Sequence, residues 1–249
     1  MSINFNPPTL KRPSLRLLLS EPLRAASELA GYRFRKPHEA KPGDGHPVIL
    51  FPGLGADAKV GATLRAYCDR LGYDAYDWGQ GLNCGPKGDL DEWLHSLKSQ
   101  ILDLLSVHSQ PATLIGWSLG GFYARELAKL MAPNIREVIT LGTPFNAEAD
   151  YTNVGWLFRL LNGRSLAFDP ALNERLRTPP AIRTTSIYSR SDGVVSWKTC
   201  CHHERSDLVH DIEVSGSHLG MNWNREVLAV IADRLAQKPG PWRQYVSAH

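Results

Sequence analysis

The sequence predicts an α/β fold, a mostly parallel central sheet of about six strands with helices packed on both faces. Two observations carry this expectation. From Val48 onward, short β-branched or apolar runs alternate with longer amphipathic stretches, the rhythm of repeated βαβ units. The chain's 249 residues, 43% hydrophobic and 21% charged, suit one domain with a full core, and no repeat or low-complexity stretch interrupts them. The strands are expected at 48–51, 74–77, 112–115, 137–141, 184–188 and 211–214. Between them, apolar residues at three- and four-residue spacing predict helices over 60–71, 90–107, 122–131 and 225–235. Right-handed crossovers then distribute these helices over the two faces of the sheet.

Two segments lie outside that rhythm. Residues 1–47 read as a helical extension, with an amphipathic stretch from Leu15 to Leu29 bounded by Pro13 and Gly31. Its apolar run is short, which favours a helix packed on the domain over a membrane-surface anchor. Residues 145–180 read as a small helical cap carrying Val154, Trp156, Leu157, Phe158, Leu160 and Leu161. A connecting helix facing the core and an apolar lid forming an acyl-binding wall are both compatible with that composition. The whole chain, 1–249, is taken as one domain.

Composition narrows the function classes. A formal charge of +3, with no cluster of five Lys or Arg residues, does not make a nucleic-acid surface. No apolar run approaches the roughly 20 residues of a membrane-crossing helix. Lys11, Arg12 and Arg16 precede only a short leucine run followed by Glu21 and Pro22, which is not the pattern of a secretory signal. Cys68, Cys84, Cys200 and Cys201 are therefore read as free thiols and the protein as cytoplasmic. Cys200-Cys201-His202-His203 is not read as a metal site, because adjacent ligands on an extended chain point apart and no second pair stands at zinc spacing. Neither metal nor cofactor is expected.

Gly116-Trp117-Ser118-Leu119-Gly120 follows an apolar strand and precedes a helix, the context a G-x-S-x-G nucleophile turn requires. A strand turning at once into a helix strains the serine and brings backbones close, leaving no room for side chains at Gly116 and Gly120. A serine hydroxyl near neutral pH needs a general base, and the base needs an acid to fix its tautomer. In the chain order Ser, acid, His, Asp192 follows the fifth strand within Ser189-Arg190-Ser191-Asp192-Gly193-Val194-Val195. His218 lies in a glycine-flanked loop between the last strand and the last helix; the other eight histidines read as solvated, structural or tail residues. Two backbone amides are expected to hold the oxyanion: that of Leu119, after the nucleophile, and that of Leu54, between Gly53 and Gly55 after the first strand. The loop from Trp78 to Pro86 emerges at the same sheet edge, and composition leaves open whether it lines a pocket or only connects.

Residues 51–57, the Gly-Trp-Ser-Leu-Gly-Gly run at 116–121, Leu141-Gly142-Thr143-Pro144, 191–195 and 216–220 together resemble the lipase and esterase branch of the α/β-hydrolase superfamily. The likeness spans about Val48 to Leu235. Phe145 stands where bacterial triacylglycerol lipases often carry His, and Trp117 where they usually carry His. The resemblance implies the α/β-hydrolase fold and cleavage of carboxylic esters through an acyl-enzyme, with Ser118, His218 and Asp192 as the triad. Trp117, Phe145, Trp156 and Phe158 are the candidate substrate-binding residues, and the expected partner is a small-molecule or acyl ester. Two other readings stay open: an acyltransferase or thioesterase using the same triad, and a non-catalytic binding protein on the same fold.

Overall fold

The computed structural model describes residues 12–34, 42–146, 170–202, 206–238 and 242–246. Its strands are β1 (Pro47–Phe51), β2 (Asp74–Asp77), β3 (Ala112–Trp117), β4 (Ile135–Leu141), β5 (Arg183–Tyr188) and β6 (Val209–Glu213). Its helices are α1 (Leu15–Phe34), α2 (Ala62–Arg70), α3 (Leu90–Leu105), α4 (Leu119–Leu130), α5 (Pro170–Arg177) and α6 (Arg225–Leu235). The strands form one sheet in the order β2-β1-β3-β4-β5-β6, and every pairing is parallel. Among the described residues no helix is long and apolar enough to cross a membrane.

A buried parallel strand must be apolar on both sides, and β1 is buried at all five positions. Val48 and Leu50 of β1, Ile115 and Trp117 of β3, and Ile139 and Leu141 of β4 pack with Leu64 and Tyr67 of α2 and Val227 and Ile231 of α6. Ile49, Phe51, Leu114 and Val138 belong to the other face, with Leu94, Leu97 and Ile101 of α3 and Tyr123 and Leu127 of α4. Asp89 starts α3 by accepting the amides of Asp91 and Glu92, and Leu94, Leu97, Ile101 and Leu105 form its buried stripe. Each such leucine or isoleucine contributes about 2 kcal/mol by leaving water.

The site-bearing turn departs from the expectation in one respect. The sequence places the helix after β3 at 122, whereas α4 begins at Leu119, because Gly120 and Gly121 sit inside its first turn and read locally as loop. β1 has β2 on one side and β3 on the other, so the chain reverses its progress across the sheet there. Phe51 pairs with Gly116, which brings the turns after β1 and β3 side by side at the carboxyl edge.

At the opposite edge, His46 Nε2 lies 2.9 Å from Thr113 Oγ1, whose hydroxyl lies 3.2 Å from Glu137 Oε1. Burial raises the Glu137 carboxyl to about 7 from its usual 4.5. Such a group contributes stability that is full below the unfolded value and lost as pH rises through the folded one. Between about pH 5 and 8, urea titrations should therefore show wild type losing about 2 kcal/mol more than Glu137→Gln. Equal pH dependence in the two proteins would contradict the assignment.

Candidate active site

β3 turns into α4 through a single residue. Ser118 has φ 52 and ψ −119 and is the sole non-glycine residue with positive φ among those described. Such a backbone costs about 1–3 kcal/mol and persists only where its surroundings enforce it. Here the Ser118 amide donates to Leu141 O at 2.8 Å, and its carbonyl accepts from Thr143 Oγ1 at 2.9 Å and the Gly121 amide at 3.1 Å. A Cβ on Gly116 would meet Gly120 O at 2.5 Å, and one on Gly120 would fall on the Phe51 carbonyl. Ser118 itself is half-buried at the mouth of the turn.

The loops after β5 and β6 bring Asp192 and His218 together: His218 Nδ1 lies 2.6 Å from Asp192 Oδ2. Asp192 Oδ1 accepts the amides of Val194 and Val195, both at 2.8 Å, so the carboxylate is fixed by its own loop before the imidazole reaches it. The His218 side chain is 3% exposed and that of Asp192 is 1% exposed. Burial pulls the His218 imidazole toward its neutral form. The Asp192 charge, the Asp192 hydrogen bond and the Glu21 charge outweigh that, leaving its pKa above the usual 6.5.

Ser118 and His218 are linked through the end of β4. Leu141 takes the Ser118 amide, and a Cβ on the next residue, Gly142, would stand 2.9 Å from His218 Nδ1, so only glycine leaves the ring its place there. Among the described hydrogen bonds none joins the Ser118 hydroxyl to the imidazole. That contact commonly closes only when substrate is bound.

The turn after β1 packs Gly53, the residue before Leu54, against this serine: a Cβ there would meet Ser118 Cβ at 3.2 Å. The amides of Gly55 and Ala56 are bonded to Asn83 O and Gly53 O, whereas that of Leu54 takes part in none of the described backbone bonds. Leu119 is the first residue of α4, where a helix leaves its amides without internal acceptors. Asn83 was not singled out by sequence reasoning and has the strongest hold on this turn. Fully buried, it donates from Nδ2 to Pro52 O at 2.7 Å and exchanges backbone bonds with Gly55 and Ala56. An asparagine inside a glycine-rich loop was the available signal, and the 78–86 loop thus braces the turn after β1.

Trp117 is 7% exposed; its indole donates to the His218 carbonyl at 3.1 Å and its ring lies 5.7 Å from the imidazole. It also lines a cavity with Pro52, Ile115, Leu141 and Asn222. Phe145 is buried, its ring 4.0 Å from the Arg125 guanidinium carbon and 4.3 Å from the His202 ring. Trp156 and Phe158, and with them most of the expected cap, lie outside the described residues; of 145–180 the structure describes Phe145, Asn146 and the stretch from α5 onward. His202 is held by Asp211 and Arg125, at 2.7 and 2.8 Å. Among the described residues no group of three His, Cys, Asp or Glu side chains is arranged to hold a metal.

A family model described as the alpha/beta hydrolase family matches residues 48–247. Among solved structures, the chain is similar to the mature form of the Bacillus licheniformis lipase BlEst2 at 18% identity and a TM-score of 0.59, covering 81% of this chain and 94% of that one. It is similar also to the Paleococcus ferrophilus monoacylglycerol lipase at 16% identity and a TM-score of 0.57, covering 79% and 95%. The corresponding figures for Aspergillus fumigatus lipase B are 16% and 0.57, covering 83% of this chain and 56% of that one. No curated protein matches in sequence.

A raised histidine contributes stability that is full below about 6.5 and lost as pH rises through the folded value. In Asp192→Asn the charge that raises His218 is gone while burial remains. The imidazole pKa, followed by the pH dependence of its nitrogen chemical shifts, should fall relative to wild type. An unchanged or higher value would show that Asp192 does not control this ring.

Proposed function

The chain belongs to the α/β-hydrolase family, and on that premise we propose that it is a serine hydrolase cleaving carboxylic esters. Ser118 is the nucleophile, His218 the general base and then acid, and Asp192 the group that orients the imidazole. The observation that carries this reading is the buried 2.6 Å contact between His218 and Asp192, set beside a serine whose backbone is forced into a strained strand-to-helix turn. A weak nucleophile becomes useful only where a base of fixed tautomer can take its proton. Asp192 Oδ2 accepts from Nδ1, which leaves Nε2 as the basic nitrogen.

In the first step the Ser118 oxygen attacks the ester carbonyl carbon while its proton passes to His218 Nε2. The negative oxygen that results is met by the amides of Leu54 and Leu119 and by the positive end of α4. Collapse expels the alcohol, which takes the proton from the imidazolium and leaves an acyl group on Ser118. Water, deprotonated by the same histidine, attacks the acyl carbon and releases the acid, returning the proton to Ser118. Every step draws on groups of this chain and on water. The ester class is supported by the lipase- and esterase-like elbow and Leu-Gly-Thr-Pro segment, and by structural neighbours that are lipases.

Ser118→Ala should lower turnover of p-nitrophenyl esters by about 10⁴-fold or more and abolish labelling by a fluorophosphonate, with an unchanged circular dichroism spectrum. Labelling retained at that site, or undiminished turnover, would sink the assignment.

A further inference from the structure

α1 is attached to the body of the protein in an unusual way. A surface helix ordinarily docks by burying an apolar stripe, but the residues α1 buries completely are Glu21 and Ala25, while Leu15, Leu19 and Leu23 stay 69, 79 and 77% exposed. Burying a carboxylate is costly unless its oxygens are hydrogen-bonded. Those of Glu21 are. Oε1 accepts the Gly193 amide at 2.8 Å and Arg24 Nη2 at 2.7 Å, and Oε2 accepts the Leu219 amide at 3.0 Å.

Gly193 follows Asp192 in the chain, and Leu219 follows His218. One carboxylate therefore fixes the backbone immediately beyond the acid and immediately beyond the base. The residues immediately before them are held from the same helix: Arg24 Nη1 donates to Ser191 O at 2.8 Å, and Glu28 Oε1 accepts the Ser217 amide at 2.7 Å. Seven residues make two turns, so Glu21 and Glu28 share a face, with Arg24 between them. The glycines in these loops make the close approach feasible. A Cβ on Gly193 would meet the Leu17 carbonyl at 2.5 Å, and one on Gly220 would fall on Glu28 Oε2. Trp223 completes the attachment by donating its indole N–H to Ala25 O at 2.9 Å.

We infer that Glu21, assisted by Arg24 and Glu28, is a positioning residue for the proposed catalytic pair, latching the Asp192 loop to the His218 loop. The inference rests on the Ser118, His218 and Asp192 reading given above. Its physical content is distance. Both loops lie beyond the ends of parallel strands; Ser189 and Ser191 tie them together at Gly216 O, on the side of Ser217 away from His218, whereas the α1 groups hold the residues on either side of Asp192 and His218, and a displacement of about 1 Å in a proton-transfer geometry can cost on the order of 10²-fold in rate. Its second content is charge. The charges that act on His218 are those of Asp192 from the β5 loop and Glu21 from α1; the other charged groups on the surrounding elements are Arg24 and Glu28 of α1, Arg190 and Glu213 at the ends of β5 and β6, and Glu226 of α6, which holds the Ser215 amide. Glu21 stabilises the imidazolium that forms during attack, adding to Asp192.

The test is Glu21→Gln in the full chain, which presents an amide N–H to one of the two amides the carboxylate received. With p-nitrophenyl acetate, kcat should fall about 10- to 100-fold with KM little changed, and the acidic limb of kcat/KM should move to lower pH, while fluorophosphonate still labels Ser118 slowly. A folded variant with wild-type kcat and an unmoved limb overturns the inference and leaves the Ser118 reading intact. Undiminished turnover in Ser118→Ala instead overturns that reading itself. Should Glu21→Gln fail to fold, Glu28→Ala decides: a lowered kcat with KM little changed supports positioning from α1, and wild-type kcat reduces α1 to a structural element and overturns the inference.

Discussion

The turn at Ser118 is the constraint around which the carboxyl edge of this sheet is arranged. A strand that becomes a helix through one residue must carry that residue through a backbone region that costs about 1–3 kcal/mol. The cost is tolerated because three hydrogen bonds and the close approach of Phe51 to Gly120 allow no alternative path. Those same contacts set the other parts of the site. Leu141, which holds the Ser118 amide, leads into Gly142, whose missing side chain makes space for the imidazole. Phe51, whose carbonyl abuts Gly120, leads into the turn that carries Leu54. Position is thus transmitted along main chain, which a parallel sheet keeps rigid.

Electrostatics at the Asp192–His218 contact sets burial against charge, and charge wins. Enclosed at 3% exposure, a lone imidazole would stay neutral and a poor acceptor of charge, yet a carboxylate at 2.6 Å and a second on α1 bring it back above its usual range. Asp192 can play this part because two amides of its own loop already share its charge. Trp117 adds a restraint from the other side by gripping the His218 carbonyl, so the residue before Ser118 also holds the imidazole-bearing loop.

Much of the fold was legible because buried parallel strands announce themselves as uninterrupted apolar runs, and β1 and β3 are such runs. The turn at Ser118 was legible because steric crowding there admits only glycine at fixed spacing. Asp192 and His218 were reached through chain order, a less local signal, and their 2.6 Å approach is a property of the tertiary structure. What stayed hidden is of one kind. Glu21 and Asn83 act on main-chain amides and carbonyls, and a backbone partner leaves no residue type to look for. In the sequence Glu21 was a charge that interrupted a leucine run. The α4 start was misplaced for a related reason, since the glycines that ordinarily end a helix are here required inside its first turn by neighbouring backbone.

The way α1 is fastened also sets an order in time. This helix leaves the ribosome before any strand of the sheet exists, but the amides that its carboxylate at position 21 must receive lie 172 and 198 residues further along the chain. Contacts of such separation close late, after local helices and neighbouring strands have formed. During synthesis α1 therefore precedes its socket, which is complete only once the loop after β6 has been made.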